Sequence, residues 1–334
     1  MHQVNLLGID VSAVSLSVKC KNHRGQDRSA TFDNDAAGHR KLIAWATQRG
    51  AQARVCLEAT GIYSLDLALA LSRHPQTEVM VVNPRAIKAF AGALMQRAKT
   101  DAVDAGVILT FLERMPFQPW QPPPEEVLQL QALTRRIAQL KVIVTQESNR
   151  LHADQHRQTL GRQISQDLQF HLRYLERRIE HLEDQALQLI QGHPQLQEKF
   201  TRLTSVTGIA TTSALNLLAE LLVLPDDLQP EQWVAQAGLD PRPRESGTSV
   251  HKPRFISKAG NKYLRAALYM PALVALQHQP NVKAFYQKLV RAGKKKMQAL
   301  VAVMRKLLRC LWGMLKHQQD FDGNKFYRLD RQGT

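Results

Sequence analysis

The sequence predicts an α/β domain followed by a mainly α-helical region. Three observations predict it: strand and helix signals alternate at first, a proline-rich segment follows, and long apolar heptads come after that segment. With 334 residues, the chain also exceeds the usual size of one domain. We expect an α/β domain at 1–118, a linker at 119–124, a helical hairpin at 125–195 and a mainly α domain at 196–334.

Short apolar runs, several with period-two alternation, predict the strands of the first domain. They lie at Val4–Ile9, Val14–Val18, Ala30–Phe32, Arg54–Leu57 and Glu78–Val82. Amphipathic segments predict helices at about 36–49, after Gly61, at Pro84–Leu94 and at Asp101–Glu113. Three strands followed by alternating helix and strand is the order of a ribonuclease-H-like domain.

Two apolar seams with the spacing of a coiled coil follow the proline-rich segment PFQPWQPPPEE. One runs from Leu130 to Val144 and the other from Leu168 to Leu189, with a polar turn near His152 to Gly161 between them. The pattern predicts an antiparallel coiled-coil hairpin. The alternative is that both seams are ordinary core stripes of a helical bundle.

The last domain begins with LTSVTGIATTSALNLL, which has the spacing of a helix-hairpin-helix around Gly208. In such a motif the tight turn offers backbone N–H groups to a DNA phosphate. Ala210 stands where a second glycine is usual. A purely structural helical turn is the alternative.

Positive charge is concentrated in one part of the chain. The formal net charge is +16, and residues 241–310 contain sixteen Lys or Arg against one acidic residue, Glu245. Such an excess indicates a polyanionic partner, here nucleic acid. The candidate contacts are Arg242, Arg244, Lys252, Arg254, Lys258, Lys262, Arg265, Lys294, Lys295 and Lys296. Interleaved aromatics such as Tyr263 and Tyr269 either stack on bases or belong to the core.

Cysteine use and hydropathy point to a cytoplasmic protein. Cys20, Cys56 and Cys310 are odd in number and widely spaced, which argues against a disulfide scaffold or a zinc ribbon. The N-terminus lacks the pattern of a signal peptide, and no uninterrupted apolar run reaches about 18 residues. We therefore expect no membrane segment.

Four carboxylates occupy positions that suit a metal site. Asp10 and Glu58 end predicted strands, while Asp101 and Asp104 lie three apart on one face of a predicted helix. Mg²⁺ or Mn²⁺ prefers such oxygen ligands, and four clustered carboxylates would repel one another without a cation. The alternative is that each acid caps a turn or a helix.

Ser246 is a candidate nucleophile. It precedes Gly247 in a loop rich in Pro and Arg, where its hydroxyl can stand near cations that would offset the charge of a phosphoryl group. Composition alone is also compatible with an ordinary Ser-Gly turn.

Several blocks together resemble a known family. GIDVS, CLEATGIY, VVNPRAIKAFA, KTDAVDA, SVTGIA and AGLDPRPRESGTSV…ISKAGNKYLRAALY stand in the order seen in the IS one-ten family of insertion-sequence transposases. That family is also called the DEDD transposases and includes the Piv-type DNA invertases and bridge-RNA-guided recombinases. The resemblance extends from about residue 5 to 315. This chain departs from the family pattern at Ser17 and Arg244.

The resemblance implies a RuvC-like first domain, a coiled-coil arm and a C-terminal transposase domain. It implies that Asp10, Glu58, Asp101 and Asp104 bind Mg²⁺ and that Ser246 forms a covalent phosphoserine link to DNA. It further implies target and donor double-stranded DNA as substrates, a bridge-type guide RNA, and a tetramer in which the serine of one subunit completes the metal site of another.

Two other functions remain open on the sequence. A Holliday-junction resolvase or nuclease would use metal-activated water instead of serine, and would leave free ends instead of an adduct. A nucleic-acid-binding protein without catalysis would tolerate loss of the carboxylates.

Overall fold

A computed structural model describes residues 4–95, 101–155, 162–242, 245–246, 250–251 and 255–329. Within these ranges, only the backbone is described for residues 101–103, 155, 162, 245–246 and 250–251. The chain forms two compact units, Met1–Pro122 and Pro123–Thr334. Their boundary falls in the segment expected as a linker, and the finer division of the second unit stays a prediction. None of the described helices has the length and hydropathy needed to cross a membrane.

The first unit contains a five-stranded mixed sheet. Its strands are β1 Val4–Val11, β2 Ser15–Lys21, β3 Asp27–Asp33, β4 Gln52–Glu58 and β5 Thr77–Val82. They stand in the order β3-β2-β1-β4-β5. β1 is antiparallel to β2 and parallel to β4, β2 is antiparallel to β3, and β4 is parallel to β5. The predicted set of five strands is confirmed.

Helices cover both faces of this sheet. They are α1 Ala36–Ala46, α2 Ile62–Ser72, α3 Pro84–Ala93 and α4 Asp101–Arg114. One core joins Leu7, Ile9 and Leu57 to α1 and α2, and the other joins Cys56 to α3 and α4. The predicted helix at 36–49 was too long: Arg49 and Gly50 adopt φ of 58° and 74°, which α-helix cannot accommodate.

The second unit is mainly helical. Its helices are α5 Glu125–Gln155, α6 Arg162–Gln191, α7 Pro194–Thr204, α8 Thr211–Leu221, α9 Pro230–Gln236, α10 Lys262–Ala267, α11 Tyr269–His278, α12 Pro280–Arg291, α13 Lys296–His317 and α14 Gly323–Phe326. Four two-residue strands interrupt them, namely β6 Pro241–Arg242, β7 Glu245–Ser246, β8 Val250–His251 and β9 Phe255–Ile256.

The two longest helices pack against each other in antiparallel fashion. Lys141 of α5 pairs with Glu183 of α6 at 2.8 Å, and Asp154 pairs with Ser165 nearer the tip. Their shared apolar seam includes Ile137, Leu140, Leu175, Ile179 and Leu182. The turn was expected near His152 to Gly161, but α5 continues through His152 to Gln155. Residues 156–161 lie outside the described ones.

A larger core fills the rest of the second unit. It joins the base of α5 and α6 to α8, α9 and the inward face of α13. The turn between α7 and α8 has Gly208 at φ 101°, and a Cβ there would lie 2.7 Å from the carbonyl oxygen of Pro271. This packing explains why the position requires glycine, whereas a helix-hairpin-helix role for the turn stays a prediction.

Replacing Gly8 with alanine is expected to destabilise the first unit strongly. The new Cβ would overlap the backbone nitrogen of Leu109 and lie 2.5 Å from the carbonyl oxygen of Ala105, so α4 would have to move. We expect a loss of about 3 kcal/mol in the free energy of unfolding, measured by urea denaturation.

Gly106→Ala is the matched control. A Cβ at this position makes an ordinary 3.6 Å contact with Lys19, and alanine favours helix over glycine by about 1 kcal/mol. Gly106→Ala should therefore preserve or raise stability. Equal losses in the two variants would show that α4 does not depend on close approach to Gly8.

Candidate nucleic-acid-processing site

Asp10 and Glu58 lie side by side at one edge of the sheet. Ile9 pairs with Leu57 in the parallel β1–β4 ladder, so the next residue on each strand is an acid. Because side chains alternate along a strand, Asp10 and Glu58 point to the face opposite the core that contains Ile9 and Leu57. That face is the one covered by α4. Both acids are partly exposed.

The direction of α4 brings its first turn to the same edge. Near the C-terminal end of α4, Glu113 forms an ion pair with Lys21 at 2.8 Å. Lys21 pairs with Leu6 in the β1–β2 ladder, so this end of α4 lies beside Leu6 of β1. Ala105 packs over Gly8, two residues further along β1. Since a helical turn advances about 5.4 Å and two strand residues about 6.6 Å, the turn that begins at Asp101 lies level with the end of β1.

The described side chains account for only part of the predicted quartet. Asp104 is partly exposed in the first turn of α4, whereas the side chain of Asp101 lies outside the described residues. Among the side chains that are described, no three His, Cys, Asp or Glu groups form a cluster able to hold a metal ion. What the fold brings together is the Asp10 and Glu58 pair, with the backbone of α4's first turn beside it.

The donor chemistry of this edge suits a hard divalent cation. Two carboxylates on adjacent parallel strands offer oxygen ligands from a rigid part of the fold, and their partial exposure leaves access for water and phosphate oxygens. Ser17 lies opposite Asp10 in the antiparallel ladder, at a position where the sequence departs from the resembled family.

Asn34 supports this edge and was missed by the sequence analysis. Its Nδ2 donates to the backbone oxygens of Ser12, 2.8 Å away, and Tyr63, 3.0 Å away. Ser12 lies in the loop after β1, and Tyr63 lies in the first turn of α2, which follows β4. His39 Nε2 lies 2.9 Å from Asn34 Oδ1, and burial lowers the pKa of His39. The one indication in the sequence is that Asn34 stands just before the predicted helix α1.

Ser246 lies in the segment 241–256, called the ribbon below, whose described residues form two separate antiparallel pairings. Arg242 of β6 pairs with Phe255 of β9 at its base, and Ser246, the last residue of β7, pairs with Val250 of β8. The base is closed by Ser257, whose Oγ and backbone N–H donate to Asp240 at 2.5 and 2.9 Å. The backbone thus gives Ser246 a place in a ribbon, while its side chain lies outside the described residues.

The predicted cationic residues lie in several elements of the second unit. Arg242 is exposed on β6, Lys258 follows β9, and Lys262 and Arg265 lie on α10. Lys294 and Lys295 are exposed between α12 and α13, and Lys296 is exposed at the start of α13. Arg244, Lys252 and Arg254 lie outside the described residues.

A buried carboxylate holds the segment after the ribbon. Glu220 of α8 is 1% exposed, and Arg135 of α5 donates to both its oxygens at 2.7 and 2.9 Å. Asn261 Nδ2 also donates to Glu220, while Asn261 Oδ1 caps α10. In the sequence, Glu220 is a single acid within the apolar run of α8, and the sequence analysis did not predict a role for it.

The cysteines are poor candidates for nucleophiles. Burial raises the pKa of Cys56 to about 12 and those of Cys20 and Cys310 to about 11. All three thiols therefore stay protonated at neutral pH, and all are free.

Two family models match the chain, and both describe transposases. One, described as "Transposase", covers residues 7–160 and includes the carboxylate edge. The other, described as "Transposase IS116/IS110/IS902 family", covers residues 200–287 and includes the ribbon. The class of protein is thus a transposase, and the chain belongs to the IS110 family.

Individual relatives agree with this assignment. The chain is similar to the pilin gene-inverting proteins of Moraxella bovis and Moraxella lacunata, each 29% identical over 95% of this chain and 97% of the relative. It is also 28% identical to an uncharacterized 43.6 kDa protein of insertion element IS110 from Streptomyces coelicolor, over 40% of this chain and 32% of that protein.

We expect Mn²⁺ to stabilise the folded protein through Asp10. A cation that binds only the native state adds about 2.7 kcal/mol at a hundredfold excess over its Kd, and so raises Tm. Asp10→Asn should lose this Mn²⁺-dependent rise in a thermal unfolding assay. The Tm of each variant without the cation is its own baseline, so the comparison concerns only the Mn²⁺-dependent rise.

Glu78→Gln is the control, since Glu78 lies on β5 of the same sheet with a side chain 54% exposed. It should keep the full Mn²⁺ response. A normal response in Asp10→Asn would remove Asp10 from the cation site.

Proposed function

We propose that this transposase cuts and rejoins DNA through a covalent serine intermediate, with the carboxylates of Asp10, Glu58, Asp101 and Asp104 binding Mg²⁺ or Mn²⁺. The observation that carries the proposal is the Asp10 and Glu58 pair beside the first turn of α4. The strand order β3-β2-β1-β4-β5, with only β2 antiparallel to its neighbours, supports a ribonuclease-H-like, RuvC-like domain.

The protein's own carboxylates would define where cleavage occurs. When bound, a divalent cation stabilises the negative charge on attacking and leaving oxygens of a phosphoryl transfer. Asp10 pairs with Ser17 of β2 and Glu58 pairs with Val82 of β5, so strand pairing holds the backbone of both acids. Asn34 links the loop after β1 to the first turn of α2.

Ser246 would supply the nucleophile. Its hydroxyl oxygen forms a bond to phosphorus, the bond from phosphorus to a deoxyribose oxygen breaks, and the released strand ends in a hydroxyl that carries the proton. The number of phosphoester bonds is unchanged. Rejoining is therefore the reverse attack by a deoxyribose hydroxyl on the phosphoserine, and it requires no external energy source.

The partners follow from charge and from the family. The basic segment 241–310 suits target and donor double-stranded DNA, gripped mainly through phosphates. A bridge-type guide RNA would carry sequence choice by base pairing, so the protein need recognise only backbone and shape. The α5 and α6 hairpin would act as a coiled-coil arm in a tetramer, the serine of one subunit serving the carboxylates of another, in the bacterial cytoplasm.

Site-specific inversion is a second candidate outcome of the same chemistry. The two Moraxella relatives are named for inverting a pilin gene, and the alignment spans 97% of their length. Inversion and transposition differ in how the cut ends are arranged. The residues proposed above would serve both.

Ser246→Ala is expected to abolish the covalent protein–DNA adduct while retaining DNA binding. The measurement is incubation with a DNA carrying the element's own ends and a nick near the junction, followed by denaturing electrophoresis. Ser249→Ala, a serine three residues further along the same segment, is the matched control and should still form the adduct.

Three results would contradict the proposal. An adduct that persists in Ser246→Ala would remove this serine from the mechanism. Cleavage to free ends by Ser246→Ala would favour metal-activated water and a resolvase-like enzyme. Unchanged recombination by Asp10→Asn would favour a protein whose carboxylates have no catalytic role.

A further inference from the structure

The sheet face that carries Asp10 continues across β2 and β3. Asp10 pairs with Ser17 of β2, and Ser17 pairs with Thr31 of β3. Because directly paired residues project from the same face of a sheet, Ser17 and Thr31 lie in one row with Asp10. Neighbouring strands are about 4.8 Å apart, so this polar row extends about 10 Å beyond Asp10.

A second row lies beside the first. Gly8 pairs with Lys19 of β2, and Lys19 pairs with Ser29 of β3. Lys19 and Asp10 are diagonal neighbours, which places their Cα atoms about 7–8 Å apart, within reach of a long side chain. Beyond β1, the two rows form a surface, called the hydroxyl face below, that consists of Ser17, Lys19, Ser29 and Thr31.

The hydroxyl face is open and borders a cavity beside α4. Ser29 and Thr31 are exposed, whereas Ser17 and Lys19 are partly exposed. All four residues line a cavity of about 200 Å³ together with Ala105, the α4 residue that packs over Gly8. This volume is below the range of about 300–1,000 Å³ for small-molecule sites, so it suits a phosphate group and excludes a whole nucleoside.

Lys19 brings a positive charge to this cavity. A Cβ at Gly106 would lie 3.6 Å from its Cδ and 3.9 Å from its Nζ, so the side chain lies along α4. Among the described residues, no hydrogen bond or ion pair engages its ammonium, whereas Lys21 on the same face of β2 pairs with Glu113 at 2.8 Å. The charge of Lys19 is therefore available to an anion.

The hydroxyl groups of the face are available as well. Within the described part of the chain, no hydrogen bond uses the side chain of Ser17, Ser29 or Thr31. Serine and threonine hydroxyls are common donors to DNA phosphates, and strand pairing holds the backbone of all three residues. One ammonium and three hydroxyls around so small a cavity match the oxygen atoms of one phosphate.

We propose that the hydroxyl face binds the backbone of the DNA strand cut at the carboxylate edge, with the phosphate next to the scissile one held by Ser17, Lys19 and Thr31. The proposal rests on the proposed function, because the scissile phosphate must lie at Asp10 and Glu58 for its neighbour to reach this face. The three side chains would be positioning residues that hold the strand. They would extend the DNA-binding surface to the first unit, whereas the contacts predicted from the sequence lie in the second.

Lys19→Gln tests the contact between the ammonium and a phosphate. The measurement is fluorescence anisotropy of a labelled duplex carrying the element's own end, titrated with the full chain at several KCl concentrations without divalent cation. Binding should weaken about three- to tenfold, and the slope of log affinity against log salt should become shallower by about 0.9, the value for one lost phosphate contact. Tm should change by no more than about 2 °C, because the ammonium has no described partner.

Lys21→Gln is the matched control for charge. It removes the same charge from the same strand and face, but this ammonium is paired with Glu113 and lies one row further from Asp10. It should keep the wild-type salt slope. The Asp10 and Glu58 carboxylates, which lack a cation in this assay, are the same in every variant, so the comparison between variants is unaffected.

Thr31→Val tests the hydroxyl contact. Valine preserves the shape of the side chain and favours a strand, so the sheet should stay intact. Loss of one hydrogen bond should weaken binding about threefold, with the salt slope unchanged because a neutral hydroxyl displaces no counterion. Thr31→Ser retains the hydroxyl and should keep the wild-type affinity.

Several results would overturn the proposal. A wild-type salt slope in Lys19→Gln, with or without a lower Tm, would do so, and so would an equal change of slope in Lys21→Gln or wild-type affinity in Thr31→Val. An effect of Lys19→Gln confined to an RNA duplex of the same sequence would assign the face to RNA instead. Because the assay needs no cleavage, it remains readable if Ser246 is not the nucleophile, and a persisting Ser246→Ala adduct would refute only the serine chemistry.

Discussion

The close approach of α4 to Gly8 is the contact on which the carboxylate edge depends. With no side chain on Gly8, the backbone of Ala105 and Leu109 lies directly on β1. A helix fixed there, running opposite to β1 as the Glu113 and Lys21 pair shows, brings its first turn to the strand ends. Backbone packing thereby brings the first turn of α4 level with the strand ends that carry Asp10 and Glu58.

In the second unit, side-chain hydrogen bonds attach the ribbon to the helices. The two residue pairs that join β6 to β9 at the base of the ribbon contribute little to its stability by themselves. Asp240 and Ser257 close that base, and the buried Glu220 fastens the following segment to α5 and α8 through Arg135 and Asn261. Glu220 is buried while the side chain of Arg135 is 40% exposed, so solvent screens this pair and it contributes less than a fully buried one.

The sequence predicted the sheet well because each strand has its own apolar run and each helix its own periodicity. It placed Asp10 and Glu58 at strand ends, which the ladder confirms. It could not predict the bonds of Asn34 to Ser12 or of Glu220 to Arg135, because these partners lie 22 and 85 residues away and only the tertiary fold brings them close. It also extended the first helix past residue 46, since left-handed backbone at Arg49 is invisible to a periodicity argument.

The central claim is that the strand-end acids and the first turn of α4 form one cation site. Anomalous diffraction from crystals grown with Mn²⁺ tests it most directly. The account predicts a peak within about 2.0–2.6 Å of carboxylate oxygens from both Asp10 and Glu58, next to the start of α4. No peak at that edge, with Mn²⁺ bound elsewhere or not at all, would contradict it.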